Sequence, residues 1–436
     1  MKIAIVGYGV ENQSVYRYFQ RMGGQEVTIC DQNENAEVPV ESSSRLGPSY
    51  LEDLDSFDVI VRTPGMNRQT ILDKNPNVSS KITTAVNIFF ENNITPTIGV
   101  TGTKGKGTTS TLISKILEAS GKKVVLCGNI GTPMLDKLEE AAVSDYVVME
   151  LSSFQLSDVR HSPETAVCLM VVPEHLNWHS DLNDYISAKQ NIFKFQLRDN
   201  VTIHNSNNQL SARVANIALT DNKLSYDSSG NEADCWVNDG AIYFRDARVC
   251  EISDIALIGS HNIENVCAAI CATYEKINGN VEAIKSVVTT FTGLPLRLEF
   301  TKEVEGVKYY NDSFSTTPET AIAAIRSFPN PKVVILGGAD KGVPFDELAD
   351  AVIRNNVKHV IAIGERGPVI ASLLRDRGYN AITEEGLDNM QSIVLKAKQF
   401  SSQGDIVLLS PACASFGMFR DYKDRGAQFT REVEKL

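Results

Sequence analysis

The sequence predicts an α/β protein built of three consecutive domains. Short apolar runs alternate with helical stretches along most of the 436 residues, which is typical of parallel sheets with helices on both faces. A chain of this length also exceeds what one ordinary hydrophobic core supports. A polar stretch before residue 94 and a Gly-Leu-Pro turn near residue 294 interrupt the alternation. We therefore predict domains over 1–93, 94–293 and 294–436.

The first domain is predicted to be Rossmann-like. The apolar run KIAIVG leads into a glycine turn and a helix over 14–22, and the strand EVTIC then ends at Asp31. The turn GYGVEN is similar to the GxGxxG loop of dinucleotide-binding domains, with Asp31 at the spacing of a ribose-binding acid. Asn12 replaces the last small residue of that loop. The motif predicts nucleotide binding without selecting NAD, and a purely structural turn stays an open alternative.

The central domain is predicted to bind phosphate groups with a second glycine loop. After the strand TIGVT the loop consists of Gly102, Thr103, Lys104, Gly105, Lys106, Gly107, Thr108 and Thr109. Glycines let backbone N–H groups converge on phosphate oxygens, and a helix N-terminus and a lysine add positive charge. The strict GxxxxGK[ST] pattern fails, because Val100 replaces its first glycine and Gly107 follows the lysine. Thr108 is therefore the first choice for a Mg²⁺-binding hydroxyl, with Thr109 second.

The remaining strands complete two sheets. In the central domain the run YVVM ends at Glu150, which places an acid at a strand tip beside the loop, as a metal site needs. Alternating β patterns over about 200–258 predict a small appended sheet, followed by a helix over 262–277. The last domain alternates VKYYND, KVVILGG, HVIAIG and DIVLLSP with helical stretches, so it is predicted to be Rossmann-like.

Composition excludes several functional classes. The net charge of −12 argues against binding to nucleic acid or to anionic membrane. No apolar stretch approaches the roughly 20 residues that span a bilayer, so we expect no membrane insertion. The eight cysteines are scattered and form no CxxC pair, which indicates a reducing cytoplasm rather than a disulfide framework. Cys267 and Cys271 are four apart on a helix, and their small apolar neighbours predict core packing.

Further motifs follow the two loops in a distinctive order. They are GNIG at 128–131, ELSSFQL at 150–156, EHLN at 174–177, SAK at 187–189, GSHN at 259–262, FTGLPLR at 291–297, NDS at 311–313, LGG at 336–338 and SPACAS at 410–415. Their order and spacing closely resemble those of the Mur ligase family, over essentially the whole chain. The resemblance implies a monomeric, cytoplasmic, ATP-dependent ligase with Mg²⁺ that works in peptidoglycan synthesis. Its implied substrates are UDP-N-acetylmuramoyl-L-alanine and glutamate, with D-glutamate as the implied enantiomer.

The resemblance also implies roles for individual residues. For ATP it implies the loop residues 102–109, Asn262, Arg297 and Asp312. For the UDP-linked substrate it implies Asp31, Thr63, Pro64, Gly65, Asn129, Ser152 and Gln155. For glutamate it implies Thr316, Lys341, Ser415, Phe416 and Tyr422. The implied catalytic residues are Lys106, His175 and Lys189, and the implied metal ligands are Thr108, Glu150, His175 and Lys189.

Lys189 stands where the family carries a carbamylated lysine, whose oxygens would help position a second Mg²⁺. Carbamylation needs a neutral amine, so a buried environment that lowers the lysine pKa would favour it. From the residues alone, Lys189 would be interpreted as a solvated helix position. His175 and His179 are four apart, but HLNWH lacks the HExxH pattern of zinc proteases.

Two departures from the family pattern leave the added amino acid open. Phe314 replaces a lysine in the run that follows Asp312, and Leu296 replaces the usual histidine before Arg297. A relative that adds L-glutamate is therefore an alternative. A folylpolyglutamate synthetase shares the phosphate loop, but ELSSFQL, SPACAS and the first domain argue against it. Two proteins of other classes are further alternatives. An NAD-dependent dehydrogenase would account for the first loop, and a nucleotide-sensing regulatory protein would account for the second.

Overall fold

The computed structural model describes residues 1–230, 233–340 and 342–436. Its strands form three sheets of five, nine and six strands, each flanked by helices. The chain divides into two compact units, which we call the first unit (residues 1–255 and 263–290) and the second unit (256–262 and 291–436). The predicted α/β class is confirmed, whereas the predicted three-domain boundaries stay a prediction.

The five-stranded sheet of the first unit is entirely parallel, in the order β3-β2-β1-β4-β5. Its strands are β1 Lys2–Val6, β2 Glu26–Asp31, β3 Ser43–Leu46, β4 Val59–Arg62 and β5 Ile82–Thr83. Its helices are α1 Val10–Met22, α2 Arg68–Lys74 and α3 Ala85–Asn92. Helix α1 begins four residues earlier than predicted, because Asn12 is buried in it and its amide donates to the carbonyls of Val6, Gly7 and Val61.

The nine-stranded sheet also belongs to the first unit. Its strands are β6 Thr97–Thr101, β7 Val124–Gly128, β8 Tyr146–Glu150, β9 Thr165–Cys168, β10 Val201–Asn205, β11 Asn222–Asp227, β12 Cys235–Asn238, β13 Ala241–Phe244 and β14 Ala247–Glu251. Their order is β14-β13-β12-β11-β10-β9-β6-β8-β7. The strands predicted over about 200–258 are β10 to β14, and they belong to this same sheet instead of forming a separate small one. Strands β12 to β14 are an antiparallel meander that continues the sheet through a parallel pairing of β11 with β12.

The helices of this region cover the sheet on both faces. They are α4 Lys106–Ala119, α5 Leu138–Ala141, α6 Ser153–Leu156, α7 Leu182–Lys194, α8 Gln209–Ala215, α9 His261–Thr273 and α10 Val281–Val288. The predicted helix over 262–277 ends earlier, at Thr273, and a short 3₁₀ turn follows. Cys267 and Cys271 lie on α9 and are buried, so their interpretation as core residues is confirmed.

The second unit holds a six-stranded sheet in the order β15-β16-β20-β17-β18-β19. Its strands are β15 Glu299–Val304, β16 Val307–Asn311, β17 Lys332–Gly337, β18 Val357–Ile363, β19 Ile382–Thr383 and β20 Ile406–Leu409. Only the β15–β16 pairing is antiparallel. Its helices are α11 Pro318–Arg326, α12 Asp346–Arg354, α13 Gly367–Asp376, α14 Met390–Phe400 and α15 Tyr422–Glu434.

The two sheets of the first unit share one hydrophobic core and a polar junction. The core runs from Phe89 on α3 to Leu135 and Val159 beside the larger sheet. At the junction the fully buried guanidinium of Arg62 lies 2.7 Å from the carboxylate of Asp158. These contacts explain why both sheets fall into one compact unit. Across the described ranges, no helix combines the length and apolarity that a bilayer span requires.

Candidate active site

The predicted phosphate loop connects β6 to α4, and its glycines are required by its geometry. Gly105 has a φ of +85°, and a Cβ there would lie 2.3 Å from Oδ1 of Asn265. At Gly102 a Cβ would lie 2.7 Å from Cβ of Leu169. Gly105 caps α4 without a side-chain acceptor, so backbone N–H groups of the first turn are not satisfied by a side-chain cap. Such a helix start is suited to binding phosphate oxygens.

Two lysine amino groups converge on one carbonyl of this loop. Nζ of Lys106 donates to the carbonyl oxygens of Gly102 at 3.1 Å and Thr103 at 3.0 Å. Nζ of Lys189, from α7, donates to the same Gly102 oxygen at 2.9 Å. The loop therefore holds the charge of Lys106 and the amino group of Lys189 side by side where a triphosphate is predicted to bind.

Lys189 is only 1% exposed, so its interpretation from the residues alone as a solvated position is wrong. The strand–loop–helix arrangement turns its face of α7 toward the loop, which a linear pattern does not reveal. Burial, together with the neighbouring charge of Lys106, lowers the pKa of Lys189 to about 7. A large neutral fraction at physiological pH is the condition that carbamylation requires. The predicted carbamylation remains a prediction.

Glu150 occupies the predicted place at the end of β8, where Val100 of β6 pairs with it. Its side chain is buried, and Oε1 accepts a hydrogen bond of 2.7 Å from the amide of Asn129. The structure thus brings together one predicted metal ligand and one predicted substrate contact. Thr109 donates its hydroxyl to Asn265 at 3.2 Å, which favours Thr108 as the metal-binding hydroxyl.

The residues present have the chemistry to help hold Mg²⁺. Within 1–230, 233–340 and 342–436 there is no group of three or more His, Cys, Asp or Glu side chains placed to hold a metal. Mg²⁺ is commonly held by one or two protein oxygens together with waters and substrate phosphates. Buried Glu150 and Thr108, beside a phosphate loop, meet that requirement.

His175 lies in the loop that follows β9 and has a φ of +58°. Its ring packs 4.8 Å from that of Phe154, and Nε2 lies 3.6 Å from Oε2 of Glu174. The other carboxylate oxygen of Glu174 lies 2.5 Å from Nζ of Lys104 in the phosphate loop. Partial burial lowers the pKa of His175 despite the opposing effect of Glu174, and nearby lysines add to the lowering. A neutral imidazole beside the phosphate loop is able to act as a metal ligand.

His179 is a buried structural link rather than a zinc ligand. Nδ1 lies 3.2 Å from Oδ2 of Asp184, and Nε2 lies 3.0 Å from Oγ of Ser153. Its ring contacts those of Trp178 and Tyr185. His179 thereby joins the 174–179 loop to α6 and α7.

The predicted UDP-binding residues meet at the carboxyl ends of β1, β2 and β4. Oδ2 of Asp31 accepts from the backbone N–H of Tyr8 at 2.6 Å. Gly7 has a φ of +80°, and a Cβ there would lie 2.4 Å from Cγ2 of Thr63. The indole N–H of Trp178 donates to the carbonyl of Gly65 at 3.0 Å. The Thr63-Pro64-Gly65 turn is therefore tied to the 174–179 loop, as a substrate spanning both sheets would need.

Ser152 and Gln155 are engaged with the protein itself. Oγ of Ser152 caps α6, and Oε1 of Gln155 accepts from the backbone N–H of Ser152 at 3.0 Å. Nε2 of Gln155 donates to Oε2 of Glu11 at 2.9 Å. Their predicted contact with the muramoyl substrate stays a prediction.

In the second unit, Asp312 is buried directly after β16. It accepts hydrogen bonds from Oγ of Ser410 at 2.7 Å and from the backbone N–H of Leu298 at 3.1 Å. Burial raises the pKa of its carboxyl to about 6. The guanidinium of Arg297 lies 4.8 Å from the ring centre of Phe314.

The predicted glutamate contacts of the second unit follow β16 and β20. Phe314 is 44% exposed, and its ring meets that of Tyr422 edge-on at 5.3 Å. Ser415 is buried and the next residue, Phe416, is 64% exposed. Lys341 lies outside the described residues. Asn262, also in this unit, donates its amide to the carbonyl of Ile258 at 2.7 Å.

Comparison with known proteins identifies the family. A model of the Mur ligase middle domain matches residues 100–273, and a model of the Mur ligase glutamate ligase domain matches 296–413. The chain is 36% identical to a UDP-N-acetylmuramoylalanine–D-glutamate ligase of Acetivibrio thermocellus, with 100% of this chain and 96% of that protein covered. The ligase of the same name from Clostridium novyi is 34% identical, with coverage of 100% and 97%. The chain belongs to the Mur ligase family.

Solved structures share the fold of this Mur ligase. The UDP-N-acetylmuramate-alanine ligase of Thermotoga maritima superposes with a TM-score of 0.63 at 17% identity, covering 100% of this chain and 99% of the other. A MurF ligase of the same organism, solved in complex with ADP, gives 0.61 at 17% identity, with coverage of 99% and 95%. These structures confirm the predicted fold. The family models and the full-length relatives confirm the predicted enzyme class, a ligase that uses ATP.

Three residues of this Mur ligase site were not predicted from the sequence. The hydroxyl of Tyr185 lies 2.8 Å from Oγ1 of Thr103, and Nζ of Lys189 lies 4.6 Å from its ring centre. Asn265 contacts Thr109, and Glu11 holds the amide of Gln155. Tyr185 precedes Lys189 by one helical turn, so helical spacing could have suggested it. Glu11 carried no such signal.

Proposed function

We propose that this Mur ligase joins D-glutamate to UDP-N-acetylmuramoyl-L-alanine with cleavage of ATP, as a step in making the peptidoglycan precursor. The observation that carries the ligase chemistry is the convergence of Lys106 and Lys189 on the carbonyl of Gly102. The choice of substrates is supported by the names of full-length relatives. We further propose that the enzyme acts as a monomer in the cytoplasm.

The reaction must first activate a carboxylate. A carboxylate repels an incoming amine and has no good leaving group, so the γ-phosphoryl group of ATP is transferred to the substrate carboxylate. The resulting acyl phosphate is attacked by the amine of glutamate, which loses a proton, and inorganic phosphate leaves with the amide formed. Because three anions are brought together, fixed positive charge contributes most of the catalysis. Lys106 stabilises the phosphates in this proposal.

Thr108 and Glu150 would hold one Mg²⁺ in the proposed site, and His175 and carbamylated Lys189 would help to hold a second. When bound, the metal would neutralise charge on the phosphate oxygens. Tyr185 and Thr103 keep the Lys189 side chain against the loop. Burial of Glu150 and Lys189 limits access of water to this part of the site.

The remaining predicted residues divide by substrate. Asp31, Thr63, Pro64 and Gly65 would contact the UDP end, and Asn129, Ser152 and Gln155 the muramoyl end. Asn262, Arg297 and Asp312 would contact ATP. Thr316, Ser415, Phe416, Tyr422 and Lys341 would contact glutamate.

L-Glutamate is the second candidate for the added amino acid, because two departures from the family pattern meet in the second unit. Phe314 lies over the guanidinium of Arg297 instead of supplying a charge of its own. The side chain of Leu296 packs so closely on Gly426 that a Cβ at Gly426 would lie 2.4 Å from Cδ2 of the leucine. Both changes replace a polar side chain with an apolar one near the predicted glutamate contacts.

The test measures phosphate release from ATP with UDP-N-acetylmuramoyl-L-alanine and either D- or L-glutamate. We expect release only when acceptor and amino acid are both present, with D-glutamate preferred. Lys106→Met should lower this release by at least about 100-fold, since it removes a fixed charge at the reacting phosphates. Release with a folate acceptor and L-glutamate, or reduction of NAD by any substrate, would favour the other enzyme classes.

A further inference from the structure

Arg425, on α15, is a fully buried arginine that links two loops of the second unit. Nε donates to Oγ of Ser313 at 3.0 Å and Nη2 to the carbonyl of Ser313 at 2.9 Å. Nη1 donates to the carbonyl of Cys413 at 3.2 Å. Ser313 follows β16 and Cys413 follows β20, which are neighbouring parallel strands. The guanidinium therefore lies beneath the carboxyl edge of the sheet.

The charge of Arg425 has no ion-pair partner in the part of the chain that the structure describes. All three of its acceptors are neutral oxygens, and no carboxylate lies within 4 Å of the guanidinium there. The equally buried Arg62, by contrast, has the carboxylate of Asp158 at 2.7 Å. Asp312 acts on Arg425 through space only.

Burial of a charge without a counter-ion lowers the stability of the folded protein, so the presence of Arg425 at this position needs an explanation. Burial lowers the pKa of Arg425 to about 10, which still leaves the group charged at neutral pH. The loops it holds lead directly to Thr316 and to Ser415, two predicted glutamate contacts. Oγ of Ser313 also donates to the carbonyl of Tyr422, a third. An anion bound at these loops would be stabilised electrostatically by the buried guanidinium of Arg425.

We propose that Arg425 is a positioning residue for the amino-acid substrate, whose buried positive charge attracts a carboxylate of glutamate to the loops after β16 and β20. The inference rests on the proposed function, because glutamate must be the amino acid that binds there. The charge acts through the two loops and does not touch the substrate. It therefore contributes to glutamate affinity rather than to the chemical step.

The first experiment compares Arg425→Met and Arg425→Lys in steady-state phosphate release. We expect Arg425→Met to raise KM for glutamate about tenfold, because it removes an interaction that is equal in the ground state and the transition state. The kcat and the KM values for ATP and the UDP-linked substrate should stay within about twofold of wild type. Arg425→Lys keeps a basic group whose pKa burial lowers, so its KM for glutamate at neutral pH should lie between those of wild type and Arg425→Met. Arg431→Met on the exposed side of the same helix is the matched control.

A second pair of variants keeps the arginine and tests the charge itself. Ser313→Asp places a carboxylate beside Nε of Arg425, whereas Ser313→Asn is its uncharged isostere. We expect Ser313→Asp to raise KM for glutamate about fivefold over Ser313→Asn, because it neutralises the buried charge. This comparison decides the question even if Arg425→Met does not fold.

Each outcome has one meaning. If Arg425→Met and Arg425→Lys lower kcat equally without a selective change in KM, or if the two Ser313 variants have equal KM values, Arg425 only holds the loops and the inference fails. If wild-type protein releases no phosphate with either glutamate enantiomer, the proposed function fails first, and the inference fails with it. Circular dichroism and thermal unfolding identify variants that do not fold.

Discussion

At the scale of single residues, the site depends on ionisable groups whose pKa values burial shifts away from their ordinary range. Lys189 is the clearest case, because burial and the charge of Lys106 lower its pKa to about 7. An amine in this state reacts with carbon dioxide, whereas a fully protonated one does not. The environment that disfavours the ammonium therefore supplies the neutral amine from which a carbamate forms.

Lys189→Ala should lower phosphate release by about 100-fold, since it removes the oxygens that would help hold Mg²⁺ at the reacting phosphates. Acetate or another short carboxylic acid should raise phosphate release by Lys189→Ala about tenfold, because it fills the space beside Tyr185. The measurement is phosphate release with increasing acetate. Lys194→Ala, an exposed lysine on the same helix, is the control and should need no acetate. Undiminished activity of Lys189→Ala without acetate would remove this role.

Asp312→Asn should change how stability varies with pH. Burial raises the pKa of Asp312 to about 6 from an ordinary value of 3.8. Between these values the folded state holds a proton that the unfolded state has lost, so wild-type stability falls as pH rises through this window. The loss is on the order of 2–3 kcal/mol, and asparagine abolishes it.

Urea unfolding at pH 4 and pH 7.5 measures this effect. The difference in free energy of unfolding, Asp312→Asn minus wild type, should be more positive at pH 7.5 than at pH 4 by that amount. Asp376→Asn, which removes an exposed carboxylate on α13, is the comparison variant. Parallel stability curves for wild type and Asp312→Asn would show that the carboxyl does not titrate in this window.

At the scale of elements, the joint between β6 and α4 decides whether phosphate is able to bind. Gly105→Ala should raise KM for ATP about tenfold, because its Cβ displaces Asn265 and its positive φ adds roughly 1 kcal/mol of strain. Gly121 has nearly the same φ, +87°, but open space where a Cβ would be. Gly121→Ala should therefore cost stability alone. Equal KM values for ATP in the two variants would contradict a role for close approach at Gly105.

Local pattern was sufficient to predict the elements that carry the phosphate chemistry. The glycine loop between strand and helix, and Glu150 at the tip of β8, follow from apolar runs and their end points. Tertiary proximity was not predictable in the same way. Asn265 contacts Thr109 across 156 residues of sequence, and Arg425 contacts Ser313 across 112. The continuation of the central sheet into β12 likewise depends on a pairing that no local pattern encodes.

At the scale of the whole molecule, the first unit must hold two sheets in fixed register, since its proposed substrate contacts lie on both. The junction does this with polar contacts around Asp158. Its carboxylate binds Arg62 at 2.7 Å and Arg68 at 3.1 Å, and its carbonyl accepts from the amide of Asn87 at 2.9 Å. One side chain thus joins β4 and α2 of the smaller sheet to the end of α6 beside the larger one.

Asp158→Asn should weaken this junction, because it leaves the guanidinium of Arg62 buried without its counter-ion. Removing one partner of a buried ion pair destabilises a protein by about 3–5 kcal/mol. Asp136→Asn is the matched control, because it breaks a more exposed pair with Arg17 across the same two sheets, and such pairs contribute up to about 1 kcal/mol. Thermal unfolding compares the two losses, and KM for the UDP-linked substrate should rise only in Asp158→Asn. Similar melting temperatures for both variants would mean that the shared hydrophobic core, rather than the buried charge pair, sets the register of the sheets.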